Sequence, residues 1–310
     1  MSNNQQPYEV LRYFALALDP IHVGTGGYRL GRVDMSIVRE PGTNLPKIPG
    51  TSIAGACRTY AAMQVEGKFP DCAGQGQARG SSGGHCGELD CPVCVTFGFA
   101  KGESGSFQGL AQFSDARLVL FPVHSLAGPV WITCPGILNG FNLAESILHD
   151  RTVRVATGIK TAGRLNLGWL MLNAQNDFSL AKSQLPGIPD EIRNRAVLVS
   201  DKLFGHIVND NLEVRTSVSI DPETGAAAKG ALFTYEALPR GTVLALEITV
   251  SDPRYYRIGD KEPLQNNRQK AVTVVKNGLR YFETLGVGGM SSRGMGRLRV
   301  LGLQQTGGQE

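Results

Sequence analysis

Alternating apolar and polar positions predict the strands of this chain. Residues 10–18, 111–121, 242–250 and 297–303 show this pattern, and glycine, proline or polar residues lie beside them. Residues 33–38 form a shorter run that predicts a further short strand. The strands are widely spaced, so long segments of another kind must connect them.

Apolar positions at helical spacing predict helices between these strands. Thr51 or Ser52 is expected to cap a helix that continues to about Val65. A longer apolar stripe predicts a helix over 262–284, and residues 137–148 are a third candidate.

A hairpin is predicted in the second half of the chain. Residues 213–220 and 231–236 have strand character, and a turn is expected at Asp221–Gly225 between them. The tip of this hairpin is long. We expect it to be the main feature of an insertion covering 206–240.

The order of these elements predicts an α+β fold. Strand, helix and strand are followed by a second strand, helix and strand, which is the order of a ferredoxin-like (RRM-like) βαββαβ core. Large insertions interrupt that core, and the whole chain, 1–310, is expected to be one domain. A sheet of this kind can bind single-stranded RNA on one face, but the same fold serves many activities.

Glycine is the compositional outlier. The chain has 39 glycines in 310 residues, which is about 13% against a usual 7% or so. They concentrate at 24–31, 74–87, 98–109 and 286–296. Several glycine loops in one folded chain indicate a ligand that runs along the backbone, and ordinary surface turns are the alternative for each block.

Charge and hydropathy exclude some classes of protein. With 31 basic and 27 acidic residues the net charge is +4, which permits an anionic partner without requiring one. No window approaches 18 consecutive apolar residues, and Met1–Pro7 lacks the basic and apolar regions of a secretory signal. We therefore expect no membrane partner and a cytoplasmic, reducing location.

Residues 68–109 predict a metal-stabilised insertion. Few apolar residues are available to fold this segment, and its cysteines include a tight CPVC pair. In a reducing compartment zinc is favoured over disulfides, and four ligands would make the site structural rather than catalytic. Because His85 and Cys86 are adjacent, both can coordinate one metal ion only if the chain bends there. Cys72 is therefore preferred to His85 as the fourth ligand. The candidate ligands are Cys72, His85, Cys86, Cys91 and Cys94.

Four segments in order resemble one family. LGVGGMSSRGMGRLRV (285–300) resembles the glycine-rich loop of the RAMP superfamily, the RNA-binding proteins of CRISPR systems. Residues 21–59 resemble the N-terminal signature of the repeated backbone subunit of type III CRISPR effector complexes, and 219–244 resemble its thumb hairpin. Residues 113–138 are most similar to the Cmr (type III-B) branch, whereas the cysteine cluster is more typical of Csm-like relatives.

The resemblance implies an RNA-guided endoribonuclease. In that family several copies stack head to tail along a guide CRISPR RNA, together with other effector subunits. Each thumb interrupts the pairing of guide and target RNA at regular intervals, and the target is cut beside each interruption. The cutting residue of the family is an aspartate after the first glycine signature, and the matching position here is Asp34.

Asp34 is expected to promote the attack of a ribose 2′-hydroxyl on the adjacent RNA phosphate, which cuts the strand. A displaced nucleotide supplies the in-line geometry, and Asp34 serves either as a base towards the 2′-hydroxyl or as a ligand of Mg²⁺ or another divalent ion. Nearby Arg29, Arg32 and Arg39 are expected to lower the pKa of Asp34, which favours the metal-ligand role. The alternative is a structural ion pair of Asp34 with Arg32 or Arg39.

Three further side chains are candidates for the catalytic site. His22 begins the first glycine loop and is either an acid/base or phosphate-contacting group or an anchor of that loop. Tyr235 and Glu236 end the predicted hairpin and are expected to approach the cut site of an adjacent copy. Ordinary strand positions are the alternative for both.

Guide binding is expected to use phosphates and sugars, because a backbone subunit must accept any guide sequence. Glycine loops, a helix N-terminus and basic side chains supply such contacts. The predicted RNA-binding residues are Lys47, Ser52, Arg58, Arg29, Arg32, Met290, Ser291, Arg293 and Gly294.

Two other functions remain open from the sequence. One is a catalytically inactive scaffold that binds guide RNA, which would tolerate the loss of Asp34. The other is a stand-alone enzyme that processes CRISPR transcripts. The thumb-like segment argues against a stand-alone enzyme, because its use requires neighbouring copies.

Overall fold

A computed structural model describes most of the chain. The described residues are 6–26, 33–74, 84–100, 105–143, 148–183, 185–258 and 261–303. The predicted guide contacts Arg29 and Arg32 lie outside them.

Strands and helices alternate irregularly along the chain. The strands are β1 (Tyr8–Ala17), β2 (Lys47–Ile48), β3 (Phe99–Ala100), β4 (Ser106–Phe107), β5 (Ala111–Phe113), β6 (Ala116–Val123), β7 (Val130–Thr133), β8 (Thr152–Ala156), β9 (Arg164–Leu167), β10 (Leu170–Phe178), β11 (Ala196–Leu198), β12 (Glu213–Ile220), β13 (Ala227–Ala237), β14 (Val243–Ser251) and β15 (Leu298–Val300). The helices are α1 (Gly50–Met63), α2 (Pro92–Phe97), α3 (Pro135–Asn139), α4 (Asp190–Arg193), α5 (Asp201–Asp210) and α6 (Arg268–Arg280). This content confirms the predicted mixed α+β class.

One large sheet organises the fold. Its strand order is β15–β1–β14–β6–β7–β11–β8–β10–β9, with β2 added beside β6 and β5 beside β14. The pairs β15–β1, β1–β14 and β14–β6 are all antiparallel. Helix α6 packs against α1 and against β14 and β15. The hairpin β12–β13 forms a separate two-stranded sheet.

The two long helices approach each other at a glycine. A Cβ atom at Gly278 in α6 would lie 2.4 Å from the carbonyl oxygen of Cys57 in α1, which is closer than side chains tolerate. Cys57 itself is fully buried, and its thiol lies 3.4 Å from the carbonyl oxygen of Val275. Small residues therefore allow α1 and α6 to cover the sheet as one layer.

Several predicted elements are confirmed. The strands expected at 10–18 and 242–250 correspond to β1 and β14, which pair with each other over nine residues. The hairpin strands expected at 213–220 and 231–236 correspond to β12 and β13. A short strand, β15, lies within the last predicted one.

Other element boundaries were wrong for identifiable reasons. Helix α1 begins at Gly50 after Pro49, and no side chain caps it, so neither Thr51 nor Ser52 is the N-cap. The strand expected at 111–121 is divided into β5 and β6 because Asp115 turns to accept a hydrogen bond from Gly50 N at 2.8 Å.

In the described part of the helix expected at 137–148, only the short α3 is present, which ends before Gly140, and residues 144–147 lie outside the described residues. The long helix expected at 262–284 is shorter, because Leu264 and Gln265 have positive φ angles of 51° and 56° that no α-helix contains. Residues 33–38 make isolated bridges rather than a continuous strand. The sequence interpretation missed α5, which Ser200 caps through a bond from Leu203 N.

Candidate functional site

Three segments that are distant in sequence meet at the end of the hairpin opposite its turn. We call this end the hairpin base (residues 213–216 and 234–237). Met35 N donates to Thr234 O at 3.0 Å, and Glu236 N donates to Met35 O at 3.0 Å. Met35 therefore extends the edge of β13 in parallel register with Tyr235. The terminal glycine loop contributes Met295, which is buried against Tyr235.

Asp34 lies at the surface of this assembly. Its carboxylate oxygen Oδ2 accepts hydrogen bonds from Thr234 N at 2.7 Å and from Thr234 Oγ1 at 2.9 Å. These bonds stabilise the ionised form, so the pKa of Asp34 is lowered, first by the main-chain donor of Thr234. An exposed carboxylate that stays ionised is suited to metal or phosphate chemistry more than to accepting a proton.

Arg39 was expected to lower the pKa of Asp34, and that expectation was wrong. Its guanidinium donates to Glu236 Oε2 at 2.9 Å and to Asn209 Oδ1, and so is committed away from Asp34. Arg39 therefore does not form the alternative ion pair with Asp34.

His22 is held inside the first glycine loop. Its Nδ1 lies 2.6 Å from Glu236 O, and its ring meets the edge of Tyr235 at 6.1 Å. Gly289 N donates to the carbonyl oxygen of His22 at 2.8 Å. A Cβ at Gly288 would lie 2.5 Å from the same oxygen, so glycine is required there. The geometry favours the anchoring alternative for His22.

Tyr235 and Glu236 lie close to Asp34 but face inwards. They are only 4% and 6% exposed. Glu236 pairs with Arg39, and the Tyr235 hydroxyl lies 3.4 Å from Ser217 Oγ. The expectation that they approach the cut site of an adjacent copy is therefore corrected, because both side chains are enclosed by their own chain.

The terminal glycine loop presents exposed polar groups beside the hairpin base. Met290 and Gly294 adopt left-handed φ angles of 64° and 74° at the two ends of the turn Ser291–Arg293. The guanidinium of Arg293 stacks over the ring of Phe233 at 5.2 Å. The predicted RNA-binding residues of this loop thus lie beside Phe233, the neighbour of Thr234 in β13.

Lys47 and Ser52 lie at the start of α1. Lys47 Nζ pairs with Asp115 Oδ2 at 2.5 Å, and Ser52 is half-buried in the first helical turn. Asp115 also accepts from Gly50 N, so one carboxylate contacts both the lysine and the helix N-terminus. Lys47 is thus already ion-paired with Asp115 of its own chain.

Arg58 requires a correction. It was expected to contact guide phosphates, but it is only 8% exposed. Its Nε donates to Cys72 O at 2.7 Å, and its Nη1 donates to Gly98 O at 2.7 Å. A guanidinium that is buried and bonded to two carbonyls holds the cysteine segment to α1 and is not available to RNA.

Four cysteines converge beside Arg58, and these thiols are the candidate metal site. The sulfur atoms of Cys72, Cys86, Cys91 and Cys94 all lie within 4.8 Å of one another. Cys86 and Cys94 are 3.7 Å apart, and Cys72 and Cys91 are 3.9 Å apart. Tetrahedral zinc with bonds of about 2.3 Å requires sulfur separations of about 3.8 Å. The donor set therefore fits a tetrahedral ion that prefers thiolates.

The thiols of the cluster differ in pKa, and two cations lie beside them. Bonding from the Cys91 thiol lowers the pKa of Cys94 to about 4, whereas the same bond raises the pKa of Cys91 and burial raises that of Cys72. Arg58 Nη2 and Lys68 Nζ lie 3.9 Å and 3.8 Å from the sulfurs of Cys94 and Cys86. Two cations thus face a group that would carry a charge of about −2 with zinc bound.

His85 is not part of this cluster. Its Nδ1 accepts a bond from Ala100 N at 3.4 Å, and the ring packs in the same insertion. The alternative in which Cys72 is the fourth ligand is the one that the geometry favours.

Sequence reasoning missed Thr234, the partner of Asp34. A signal was present, because side chains alternate along a strand and place Thr234 on the same side as Glu236, two residues on.

Across the described part of the chain, no helix combines the length and the apolar character needed to cross a bilayer.

The chain is similar to known proteins over most of its length. The family model of the RAMP superfamily matches residues 15–299. The Cmr endoribonuclease Cmr4 of the Pyrococcus furiosus CRISPR system is 25% identical over 255 residues, which cover 76% of this chain and 79% of that relative. The endoribonuclease Csm3 of a Methanothermobacter thermautotrophicus CRISPR system is 33% identical over 88 residues, 28% of this chain and 31% of that relative.

Solved structures share the fold. A type III-B Cmr-beta complex bound to cognate target RNA contains a chain that superposes with a TM-score of 0.66 at 14% identity, covering 95% of this chain and 98% of that one. Oligomeric Cmr4 from Pyrococcus furiosus gives a TM-score of 0.61 at 19% identity, covering 96% and 98%. At these identities the likeness establishes the fold alone.

Proposed function

We propose, from the premise that this chain belongs to the RAMP superfamily, that it is a repeated backbone subunit of a type III CRISPR effector complex. In this proposal it binds guide RNA along a head-to-tail array with other effector subunits, and it cleaves complementary target RNA. It acts in the cytoplasm. The endoribonuclease Cmr4, similar to this chain over 76% of its length, supports the activity.

The exposed Asp34 at the hairpin base is the observation that carries this proposal. The hairpin would displace a target nucleotide, and Asp34 lies at the point where β13 meets the first glycine loop. A displaced nucleotide has the freedom to align its 2′-hydroxyl with the adjacent phosphate. The carboxylate is therefore held next to the place where the strand becomes reactive.

Asp34 would act as an anion in the reaction. Its lowered pKa makes it a weak base, and hard divalent cations such as Mg²⁺ prefer carboxylate oxygens. A bound divalent ion would supply positive charge to the phosphate. Asp34 would hold that ion, while His22 and Glu236 fix the surrounding main chain through the bond between His22 Nδ1 and Glu236 O.

The guide strand would follow the terminal glycine loop. Met290, Ser291, Arg293 and Gly294 surround a turn whose exposed side chains and main chain suit phosphate and sugar contacts. Ser52 remains a proposed contact at the start of α1. Lys47 could contribute only by exchanging its bond to Asp115 for one to phosphate.

The core would be ferredoxin-like. The strand order β15–β1–β14–β6 is antiparallel throughout, with α1 between β1 and β6 in sequence and α6 between β14 and β15. This is the arrangement expected of a βαββαβ unit whose inner connections have been lengthened. The insertions 68–109 and 206–240 would be elaborations on that unit.

The cysteine insertion would bind structural zinc. Cys72, Cys86, Cys91 and Cys94 would be its four ligands, and such a site has no open position for substrate. Zinc would supply the folding energy of a segment whose small apolar cluster holds few residues besides the thiols.

Cleavage by a reconstituted complex tests the function. The chain is assembled with guide RNA and the other effector subunits, and a labelled complementary RNA is followed on a denaturing gel. We expect regularly spaced cuts from the wild type and none from Asp34→Asn, with target binding retained.

Asp210→Asn is the matched control, because Asp210 is an exposed aspartate at the end of α5. It should cleave like the wild type. Undiminished cutting by Asp34→Asn would exclude Asp34. Binding of target without any cutting by the wild type would indicate an inactive scaffold, and cleavage of a precursor transcript by the chain alone would indicate a stand-alone enzyme.

A further inference from the structure

Three hydrogen bonds join Thr234 to Asp34. In addition to the two bonds that Oδ2 accepts, Asp34 N donates to Thr234 Oγ1 at 3.1 Å. The hydroxyl thus donates to the carboxylate and accepts from the main chain of the same residue. Two residues separated by 200 positions in sequence are joined as one unit.

The bonds leave the carboxylate with a defined orientation. Both donors of Thr234 reach Oδ2, so Oδ1 is the oxygen that Thr234 leaves available for RNA or for a metal ion. A carboxylate held by one side chain alone would rotate about its χ2 angle, because that torsion is broad. The second donor restrains it.

The main chain around this contact has its own support. The bonds from Met35 N to Thr234 O and from Glu236 N to Met35 O do not involve the threonine side chain. Loss of the hydroxyl would therefore leave the carboxylate on the single bond from Thr234 N, able to turn about that contact, without detaching the loop from β13. This separation makes a specific role for the hydroxyl testable.

Thr234 also lies between the carboxylate and the exposed apolar part of the hairpin. Leu232 and Val218 are cross-strand partners in the hairpin, and they are 67% and 43% exposed. Side chains two residues apart on a strand lie on one face, so Leu232 and Thr234 share a face with Val218. The same strand thus presents an apolar surface and, at the next position of that face, the group that holds Asp34.

We propose that Thr234 is a positioning residue that fixes the carboxylate of Asp34 at a set distance from the nucleotide displaced by the hairpin. This inference rests on the function proposed above. It predicts that the threonine hydroxyl governs both the rate of cutting and the position of the cut. A residue that served folding alone would not affect the position.

The test compares Thr234→Val, which removes the hydroxyl at nearly constant shape, with Thr234→Ser, which retains it. The complex is assembled with guide RNA, and cut positions in labelled target RNA are mapped at nucleotide resolution under single-turnover conditions. We expect Thr234→Val to cut about 10- to 100-fold more slowly, because a displacement of about 1 Å can cost that much in rate. We also expect its cuts to spread over neighbouring nucleotides, because the carboxylate is no longer fixed in one place. Thr234→Ser should cut at the wild-type positions and near the wild-type rate.

Thr273→Val is the control, because Thr273 is an exposed threonine of α6 that lies outside the hairpin base. It should behave as the wild type. The proposal is overturned if Thr234→Val cuts at the normal rate and positions, if Thr234→Ser is as slow as Thr234→Val, or if Thr234→Val no longer assembles with guide RNA. An inactive wild type would instead refute the proposed function, which separates the two failures.

Discussion

The hairpin base and the cysteine cluster place their reactive groups in opposite settings. Asp34 is exposed at the surface and held by a single threonine, whereas Cys72, Cys91 and Cys94 are buried with Arg58 behind them. An external strand can reach the carboxylate, but nothing larger than an ion fits between sulfurs less than 4.8 Å apart. This difference is why we propose reaction at the first region and structural support at the second.

The two regions also differ in how they assemble. The four cysteines lie within 23 positions of one another, from 72 to 94. Asp34 and Thr234 are 200 positions apart, and the terminal loop adds a third distant segment. A local site can form around its metal, whereas the hairpin base requires the complete fold.

The largest difference is expected when a cysteine is replaced. Cys94→Ser should lose bound zinc and lower the free energy of unfolding by several kcal/mol, because metal binding and folding are coupled. Asp34→Asn should change it much less, because the side chain is exposed and an amide oxygen can still accept from Thr234. Elemental analysis and urea unfolding measure the two effects. Less than about half an equivalent of zinc in the wild type would refute a zinc site.

Replacement of Arg58 should have the next largest effect. Arg58→Met leaves Cys72 O and Gly98 O without their guanidinium donors, which should cost about 2 kcal/mol or more. Zinc should also be removed more rapidly by a chelator, because the positive charge near Cys94 is lost. The folded variant should bind guide RNA normally. A guide affinity that falls while stability and zinc retention stay normal would restore the original RNA-binding interpretation of Arg58.

Arg293 provides the opposite pattern. Arg293→Met removes an exposed charge beside Phe233, so stability should change little, by under about 1 kcal/mol. Guide affinity should fall, and the slope of log affinity against log salt should decrease in magnitude by about 1 if the guanidinium contacts a phosphate. Filter binding at several salt concentrations measures this slope. An unchanged slope would place Arg293 off the RNA path.

Acidification should reveal the smallest effect. The bonds from Thr234 lower the pKa of Asp34 below its ordinary value of 3.8. A group with a lower pKa in the folded state adds stability above its unfolded pKa, and this stability is lost as the pH falls through the folded pKa. The free energy of unfolding, measured in urea, should therefore fall more below about pH 5 for the wild type than for Asp34→Asn. Equal pH dependence would show that the bonds do not favour the ionised carboxylate.

Strong local patterns were sufficient for much of the fold. The alternation in β1 and β14 and the turn between β12 and β13 are properties of neighbouring residues, and those elements were predicted correctly. The interruption at Asp115 was not predictable, because its cause is a hydrogen bond to Gly50, which lies 65 positions away. Helix α6 was predicted too long because positive φ angles at 264–265 are not evident from an apolar stripe.

For the two sites, the chain's own residue order determined which groups were candidates. The spacing of Cys86, Cys91 and Cys94 indicated a thiolate site, and the resemblance of residues 21–59 to the family signature indicated Asp34. Tertiary structure alone decided that Arg58 is buried and that Thr234 rather than Arg39 holds Asp34, and it agrees with the preference for Cys72 over His85 that the sequence had given. The physical reason is that burial and hydrogen-bond partners depend on segments brought together by the sheet, and a sequence records only which neighbours are covalently close.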